Sequence, residues 1–476
     1  MPEQSTTSTL PTEFDVAVIG AGSAGFSAAI TAADAGAKVA LIGYGTIGGT
    51  CVNVGCVPSK AMIRAVEPLH VSRAAERFDG ITASASVTDW KALVRQKQAL
   101  VDDLRQAKYL DVLPNYDAVS YLEGKAQFKA DGTLMVGDMQ IAATKIIIAT
   151  GSRPHVPDID GLSGVAWLDS TSALELVELP ESLMVMGGGY IGVELAQMFA
   201  RAGCKVTIVT RRGLLPDAEP EISEALRGYF AGEGITVLSG LSYDSLREAD
   251  GQVTLSAGYQ GQSIEISAQN LLLATGRVPN TEGLALEMAG IATDATGAVM
   301  VDAMMRSSRD GVYAAGDVTG RDQFVYMAAY GAKLAAKNAM NGDTLPYDNA
   351  AMPGVVFSDP QVASVGLTEA AARARGFDAA TSVLGLEHVP RALAARDTRG
   401  LIKLVAERGS KKLLGAHILA PEGADSIQTA AMAISAGLTY EQLGDMIFPY
   451  LTTVEGLKLA AQTFEKDVSK LSCCAG

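Results

Sequence analysis

The chain has 476 residues, enough for about three domains of ordinary size. Hydrophobic residues make up 48% of it and 50 residues are glycine, which is a globular composition. The net charge of −15 argues against a nucleic-acid partner, because phosphate binding requires clustered Lys and Arg. No apolar run reaches the roughly 18–20 residues of a membrane span. The polar N-terminus lacks a signal peptide, so we expect a cytoplasmic protein, with residues 1–12 as a disordered tail.

An internal repeat organises the first half of the chain. Residues 15–43 and residues 183–210 each contain an apolar strand, the pattern G-x-G-x-x-G, an amphipathic segment and a second apolar strand. In this context the glycines allow a tight turn, a close approach to a pyrophosphate and close helix–strand packing. Two such units predict two bound dinucleotides. The glycines are Gly20, Gly22, Gly25, Gly187, Gly189 and Gly192.

The two copies differ where their second strand ends. The second copy continues as Thr210-Arg211-Arg212, with no acid for a ribose 2′-hydroxyl and two guanidinium groups for a 2′-phosphate. This predicts NADPH at the second site, although the two arginines could also be solvated surface residues. The first copy has Gly43 where an acid is expected. The adenosine ribose bound there must find another partner, such as the backbone or water.

The rest of the pattern predicts the domain organisation. KIIIATGSRP at 145–154 and LLLATGRVPN at 271–280 are apolar strands ending in Ala-Thr-Gly, and they indicate crossings between domains. From residue 343 short strands alternate with amphipathic stretches, and no third G-x-G-x-x-G appears. We therefore predict an α/β protein with two Rossmann-like, three-layer domains and a C-terminal α+β domain. The predicted limits are 13–152 with 278–342 for the first domain, 153–277 for the second and 343–476 for the third.

Two of the five cysteines lie beside the first nucleotide unit. Cys51 and Cys56 occur in GGTCVNVGCVPSK at 48–60, directly after that unit, and should lie close to its cofactor. Two thiolates there can form a disulfide, interact with the cofactor or bind a soft metal. Zinc is less favoured, because no four-ligand set accompanies them. Lys60 could lower a neighbouring thiol pKa or could be a surface lysine.

The remaining cysteines have different settings. Cys204, in RAGCKVTIV, is predicted to be a small buried residue at a helix–strand turn. Cys473 and Cys474 are adjacent in the tail FEKDVSKLSCCAG at 464–476.

Asp317, at the end of the apolar segment GVYAAGDVTG, could bond a flavin ribityl hydroxyl, could cap the following helix, or could do both.

These motifs, in this order, resemble the pyridine nucleotide–disulfide oxidoreductase family over residues 13–476. The resemblance implies FAD in the first unit, NAD(P)H in the second and a C-terminal dimerisation domain. It implies that Cys56 is the thiol next to the flavin and Cys51 the exchange thiol. It also implies that Lys60 pairs with Glu194 near the flavin N5. Tyr190 matches the tyrosine that covers the flavin until nicotinamide binds, and Asp317 matches the flavin-binding acid.

The cofactor contacts expected from motif and resemblance fall into two sets. Those for FAD are Gly20, Gly22, Ser23, Gly25, Gly49, Thr50, Lys60, Thr150, Gly151, Gly316 and Asp317. Those for NADPH are Gly187, Gly189, Tyr190, Ile191, Glu194, Arg211, Arg212 and Gly276.

The C-terminal segment distinguishes branches of this family. Its thiol–disulfide reductases carry His-Pro-Thr followed by an acid, and that histidine is the acid–base group for the exchange thiol. Here FPYLTTVEG at 448–456 places Tyr450 in the position of the histidine and Glu455 in that of the acid. A tyrosine with a pKa near ~10 is a poor proton shuttle at neutral pH. Hg(II) is a soft ion that binds thiolates. Its transfer needs a succession of thiolate ligands and no general base for a leaving thiol.

The tail is similar to that of the Hg(II)-reducing members of the family. There the Cys473-Cys474 pair of one subunit would pass the metal to Cys51 and Cys56 of the other. The resemblance thus implies a homodimeric, NADPH-dependent flavoenzyme with an active site shared between subunits. It would reduce Hg(II), delivered as small-thiol adducts, to Hg(0) in mercury detoxification, with Tyr190 and Tyr450 lining the metal's path.

Three alternatives remain. A thioredoxin- or glutathione-type disulfide reductase is disfavoured by Tyr450. A flavin-bearing Hg(II)-binding protein without turnover is disfavoured by the intact NADPH pattern. An activity like that of dihydrolipoamide dehydrogenase would need NAD specificity and the missing histidine.

Overall fold

The computed structural model describes residues 13–470. The tail expected at 1–12 and the pair Cys473-Cys474 lie outside the described residues. The chain divides into two compact units. The first comprises Met1–Pro58, Arg95–His155 and Arg277–Tyr347, and the second comprises Ser59–Val94, Val156–Gly276 and Asp348–Gly476.

A sheet with a parallel core organises the first unit. Its central strands are fully buried apolar runs such as Val39–Gly43, as expected when both faces of a parallel sheet are covered. In spatial order the strands are Val119–Glu123, Val39–Gly43, Glu13–Ile19, Met139–Ile148, Leu134–Val136 and Ala126–Phe128, and Val312–Ala314 also pairs with Met139–Ile148. The last two strands of the path are antiparallel, and the others pair in parallel.

Helices cover one face of this sheet. The Ala-rich helices Ser23–Asp34 and Val325–Asn341 pack on each other and on Val16, Val18 and Leu41. The opposite face, with Ala17 and Ile19, packs in a second core that includes the antiparallel strands. The small residues explain why the helices approach the sheet closely. A short antiparallel pair joins Ser152–Pro154 with Arg277–Pro279.

The second unit contains another parallel sheet, with the order Thr236–Ser239, Lys205–Thr210, Ser182–Met186 and Asn270–Leu273. The helices Ser170–Leu174, Tyr190–Ala202 and Pro220–Gly232 accompany it. Leu183 and Val185 face the helical core, whereas Met184 and Met186 face an antiparallel sheet formed by Ser242–Ala249, Gln252–Tyr259 and Gln262–Ala268. The alternation of buried residues along the strand therefore produces the three predicted layers.

The same unit includes a five-stranded antiparallel sheet near the C-terminus. Its strands, in order, are Pro353–Val356, Gln361–Gly366, Leu413–Ala420, Leu401–Glu407 and Ala379–Gly385. The helices of this region are Glu369–Ala374, Pro390–Ala395, Gly423–Ser435, Tyr440–Asp445 and Glu455–Gln462. The predicted fold class, two Rossmann-like domains and a C-terminal α+β domain, is confirmed.

The chain passes from one unit to the other within two long helices, Cys56–Arg73 and Trp90–Arg105. The remaining helices are short: the α-helix Gly49–Asn53, the π-helix Gln106–Leu110, and 3₁₀ turns at Ala74–Arg77, Leu113–Asn115, Leu162–Gly164, Leu286–Ala289, Asp317–Thr319, Leu386–His388 and Val468–Lys470. Within residues 13–470, no helix combines the length and the apolar character needed to span a bilayer.

Candidate active site

The first G-x-G-x-x-G motif forms a turn that admits no side chain at Gly20 or Gly25. Gly20 has φ +119°, and a Cβ there would lie 2.2 Å from the carbonyl oxygen of Ala149. A Cβ on Gly25 would lie 1.7 Å from the carbonyl oxygen of Gly20. The helix Ser23–Asp34 begins directly after Gly22, which has no side chain to cap it. Its first N–H groups are therefore directed at the turn and suit a pyrophosphate.

The second motif repeats this geometry. Gly187 has φ +124°, and its Cβ would lie 2.2 Å from the carbonyl oxygen of Ala274. The Cβ of Gly192 would lie 2.2 Å from the carbonyl oxygen of Gly187. A Cβ on Gly189 would have no atom of the described chain within 4 Å. The space above Gly189 is thus open to a ligand at the start of the helix Tyr190–Ala202.

Asp317 is held by hydrogen bonds in the first unit. The Oγ of Ser152 donates to Oδ2 of Asp317 at 2.7 Å, and Nε of Arg277 donates to the same Oγ at 2.8 Å. Within residues 13–470 no hydrogen bond occupies Oδ1 of Asp317. The capping role considered for Asp317 is wrong. It is the first residue of the 3₁₀ turn Asp317–Thr319, and its carboxylate bonds Ser152 instead of capping the turn. Gly316, with φ +76°, precedes it.

The segment next to Ser152 is hydrogen-bonded to the residue that follows the strand Arg277–Pro279. Thr150 Oγ1 donates to the carbonyl of Asn280 at 2.7 Å, and Asn280 N–H donates to the carbonyl of Gly151 at 2.9 Å. Gly151 and Gly276 both have positive φ, +71° and +109°, a conformation that favours glycine.

The cysteine segment is fixed by side-chain hydrogen bonds. Cys51 lies in the short helix Gly49–Asn53, and Cys56 begins the helix Cys56–Arg73; both are half-buried. The Nδ2 of Asn53 donates to the carbonyls of Ile47 and Gly49, both at 2.9 Å. Arg105 donates to Oδ1 of Asn53 at 3.2 Å. These bonds stabilise the short helix that contains Cys51. Thr50 lies in the same helix.

Tyr109, which the sequence analysis missed, lies near both thiols. Burial raises the pKa of Tyr109, and the charges of Cys51 and Cys56 raise it further, although the hydrogen bond with Ser23 opposes this. The Tyr109 and Ser23 hydroxyls lie 3.1 Å apart. The ring meets Phe26 edge to face, with centroids 4.8 Å apart. Tyr109 thus packs and hydrogen-bonds at the start of the helix Ser23–Asp34, where its pKa responds to the charge of both thiols.

Lys60 and Glu194 form an ion pair in the second unit. Lys60 Nζ lies 2.7 Å from Oε2 of Glu194, whose side chain is 6% exposed. The other oxygen of Glu194 accepts the N–H of Phe357 at 2.9 Å. The lysine also lies 5.0 Å from the centre of the Phe357 ring, within range of a cation–π interaction. The structure therefore brings together the two residues that the resemblance paired, and adds Phe357 to them.

The two tyrosines expected along the metal path have different settings. Tyr190 is the first residue of the helix Tyr190–Ala202 and is 42% exposed. Partial burial raises its pKa, and the charge of Asp217 adds to this. Tyr450 lies in a turn and is 56% exposed. Burial and neighbouring charge therefore give Tyr190 no tendency to ionise near neutral pH.

Glu455 stabilises the backbone near Tyr450. It is 6% exposed, and its Oε2 accepts the N–H of Leu451 at 3.1 Å. Leu451 has a positive φ of 59°, which is uncommon for a residue with a branched side chain. The acid that would orient a histidine in thiol reductases thus holds the turn that carries Tyr450.

The strand end of the second unit is positively charged. Arg211 lies over the ring of Tyr243, 4.8 Å from its centre, and Tyr243 donates to the carbonyl of Val209 at 3.0 Å. Burial raises the pKa of Tyr243 to about 12, so this hydroxyl stays protonated. Arg212 forms an exposed ion pair with Asp217 at 3.1 Å. Tyr243 therefore positions one of the two guanidinium groups expected at the 2′-phosphate.

Cys204 is buried, and burial raises its pKa to about 12, which confirms the small hydrophobic residue that was predicted. Among residues 13–470, no three or more His, Cys, Asp or Glu side chains cluster as a metal site would require. The remaining predicted metal ligands, Cys473 and Cys474, lie outside the described residues.

Comparison with known proteins agrees with this geometry. Residues 14–336 match the pyridine nucleotide-disulphide oxidoreductase model, and residues 352–461 match the dimerisation domain of the same family. The chain belongs to the pyridine nucleotide-disulphide oxidoreductase family, as the sequence motifs indicated.

Its relatives include curated mercuric reductases. That of Streptomyces lividans is 47% identical over 98% of this chain and 99% of its own length. That of Staphylococcus aureus is 45% identical over 98% of this chain and 85% of its own length. Among solved structures, the Cu(II) complex of the HOCl-induced flavoprotein disulfide reductase RclA from Escherichia coli is 31% identical, with a TM-score of 0.85, and covers 96% of this chain and 100% of that one.

Proposed function

We propose that the protein is an NADPH-dependent flavoenzyme that reduces Hg(II) to Hg(0), a reaction that detoxifies mercury. The observation that carries this proposal is the similarity to mercuric reductases, which extends along 98% of the chain and 99% of the Streptomyces lividans enzyme. The exposed Tyr450 in the position of the acid–base histidine supports a substrate that needs no protonated leaving thiol.

The residues present suit both cofactors. The closed glycine turns at Gly20 and Gly187, each before a helix N-terminus, suit two pyrophosphates. The available oxygen of Asp317 suits a ribityl hydroxyl. When bound, FAD accepts hydride from NADPH and supplies two electrons to the thiol-bound substrate. Arg211 and Arg212 would hold the 2′-phosphate of NADPH.

We assign the substrate to Cys51 and Cys56. Two thiolates bind the soft Hg(II) ion and hold it for reduction. Uptake of two electrons converts Hg(II) to Hg(0), which has little affinity for thiolate and leaves. Lys60, oriented by Glu194 and Phe357, supplies positive charge near the reducing group. Tyr190 and Tyr450 would line the path of the metal.

The family's dimerisation domain at residues 352–461 supports a homodimer. We further propose that Cys473 and Cys474 of one subunit take Hg(II) from small-thiol adducts and pass it to the thiol pair of the other subunit. The domain limits 13–152 with 278–342, 153–277 and 343–476 also remain our proposal, as does a cytoplasmic location.

The test is turnover by the purified flavoprotein with NADPH, excess small thiol and Hg(II). NADPH absorbance and trapped mercury vapour are followed together. We expect one Hg(0) for each NADPH oxidised, no Hg(0) from Cys56→Ala and slower release from Cys473→Ala/Cys474→Ala. Cys204→Ala is the matched control and should retain full activity, because Cys204 is buried away from solvent.

Parallel assays with glutathione disulfide, thioredoxin and Cu(II) examine the alternatives. A flavin that NADPH reduces but Hg(II) does not reoxidise would overturn the proposal. Rapid turnover of a disulfide in that case would assign the protein to the disulfide reductases. A flavin that NADPH fails to bleach, with Hg(II) still bound, would indicate metal binding without turnover.

A further inference from the structure

The strand Val39–Gly43 ends without the acid that a Rossmann-like unit normally presents to a ribose. Gly43 has no side chain to replace it. Its backbone is ordinary strand, since its φ is not positive, so backbone conformation does not require a glycine there. The inference below rests on the assignment of FAD to the first unit.

The space beside Gly43 is already filled. A Cβ at this position would lie 2.7 Å from the hydroxyl oxygen of Tyr121, 2.9 Å from a carbon of its ring and 2.6 Å from the Cβ of Ala21. Cβ atoms essentially never approach other heavy atoms so closely. Glycine is therefore required because the Tyr121 phenol and the Ala21 methyl occupy the space where an acidic side chain would begin.

The sheet register explains how Tyr121 reaches this point. Val119–Glu123 pairs in parallel with Val39–Gly43, with Tyr121 opposite Leu41 and Glu123 opposite Gly43. Tyr121 starts two residues before the strand end and reaches over Gly43. Its ring packs against the core beneath the helix Ser23–Asp34. The ring is thus anchored, while the hydroxyl lies at the edge where the dinucleotide binds.

The hydroxyl is chemically suited to a ribose. Within residues 13–470 it has no hydrogen-bond partner, and a phenol can both donate and accept. Burial raises the pKa of Tyr121, and the charge of Glu123 adds to this, so the phenol stays neutral at physiological pH. We propose that the Tyr121 hydroxyl binds the adenosine ribose of FAD in place of the missing strand-end carboxylate.

FAD affinity tests the proposal without reference to turnover. The flavin is removed, and the dissociation constant of the apoprotein for FAD is measured by quenching of flavin fluorescence. Tyr121→Phe keeps the ring and removes the hydroxyl, so it should weaken FAD binding about 5-fold, the value of one hydrogen bond. Tyr116→Phe is the matched control. Tyr116 lies three residues before the strand Val119–Glu123, at the amino-terminal end of the strand and away from Gly43 at the carboxyl end, so its substitution should leave the constant unchanged.

FAD analogues carrying 2′-deoxy- or 3′-deoxyadenosine locate the bond. The wild type should bind at least one of them several-fold more weakly than FAD, whereas Tyr121→Phe should bind that analogue and FAD equally. A Tyr121→Phe dissociation constant within twofold of wild type would overturn the proposal. An equal loss of affinity for the analogues in the wild type and in Tyr121→Phe would also overturn the proposal. A protein that shows these FAD effects but releases no Hg(0) would retain this inference and lose only the proposed substrate.

Discussion

The two nucleotide-binding units have the same glycine turn but differ at the end of their second strand. Gly20 and Gly187 make the same turn, each with a Cβ position 2.2 Å from the carbonyl oxygen of the residue that follows the neighbouring parallel strand. At the second strand's end, the first unit has Gly43 closed in by a tyrosine ring, whereas the second has exposed Arg211. We therefore expect the glycine turns to bind either pyrophosphate, and the residues at the end of the neighbouring strand to select the nucleotide.

At the end of the second strand of each unit lies a tyrosine that does not belong to the G-x-G-x-x-G motif. In the first unit Tyr121 occupies the position of the missing acid. In the second unit Tyr243 lies beneath Arg211 and bonds the carbonyl of Val209. We therefore expect the same residue type to contact a neutral ribose in one unit and to position a cation for a phosphate in the other.

The largest effects should come from the shared turns. Gly20→Ala should abolish FAD binding and Gly187→Ala should abolish NADPH binding, because each added methyl meets a backbone oxygen and each φ lies in the left-handed region. Flavin content and the rate of flavin reduction by NADPH measure the two losses. Gly36→Ala, with φ +89° but open space, is the control and should cost only about 1 kcal/mol of unfolding free energy. Equal flavin loss in Gly187→Ala and Gly20→Ala would contradict separate sites.

The charged strand end should decide between NADPH and NADH. Removing both guanidinium groups in Arg211→Ala/Arg212→Ala should lower the preference for NADPH about 10–100-fold, the value of charge-assisted bonds to a phosphate. The ratio of kcat/KM for the two nucleotides measures this. Arg227→Ala, an exposed arginine paired with Glu224, is the control and should leave the ratio unchanged. A ratio unaffected by the double substitution would mean that the two arginines are only solvated surface residues.

Sequence reasoning was strongest where chemistry follows from a local pattern. The glycine turns, the apolar strands and the buried Cys204 could all be predicted, because each depends on neighbours within a few residues. Tyr109, Tyr243 and Phe357 were missed, because tertiary packing brings them to the site from segments that are distant in the sequence. The pairing of Lys60 with Glu194 was predicted from the family resemblance, since no spacing rule links residues so far apart. Gly43 was recognised as a departure, but only the register with Val119–Glu123 shows what fills its place.

We expect moderate effects from alanine at Gly22 and Gly189, the middle glycines of the two G-x-G-x-x-G motifs, and a different cofactor should be affected at each. Gly189→Ala places a methyl in open space where NADPH would approach, so the protein should fold normally and its KM for NADPH should rise about 10-fold, as expected when a close contact of about 1–2 kcal/mol is lost. A Cβ on Gly22 would lie 3.4 Å from the Cα of Gly49, an ordinary van der Waals distance, so Gly22→Ala should also fold normally and should weaken FAD binding while leaving the KM for NADPH unchanged. The unfolding temperature, the flavin content and the KM for NADPH distinguish the two variants. A KM for Gly189→Ala equal to that of wild type would place the pyrophosphate elsewhere.

The smallest effect should come from Cys204, which corresponds in the repeat to Ala37 of the first unit. Both residues are buried between helix and strand, at 5% and 1% exposure, so alanine is already accommodated at this point of the fold. Cys204→Ala should cost about 1 kcal/mol or less of unfolding free energy. Because burial raises the thiol pKa to about 12, the thiolate is scarce below that pH, and iodoacetamide should leave Cys204 unmodified in the native protein between pH 7 and 9. Mass spectrometry of the NADPH-reduced, alkylated protein measures this, with Cys51, the expected exchange thiol, as the reactive comparison. Rapid alkylation of Cys204 in the folded state would contradict its burial.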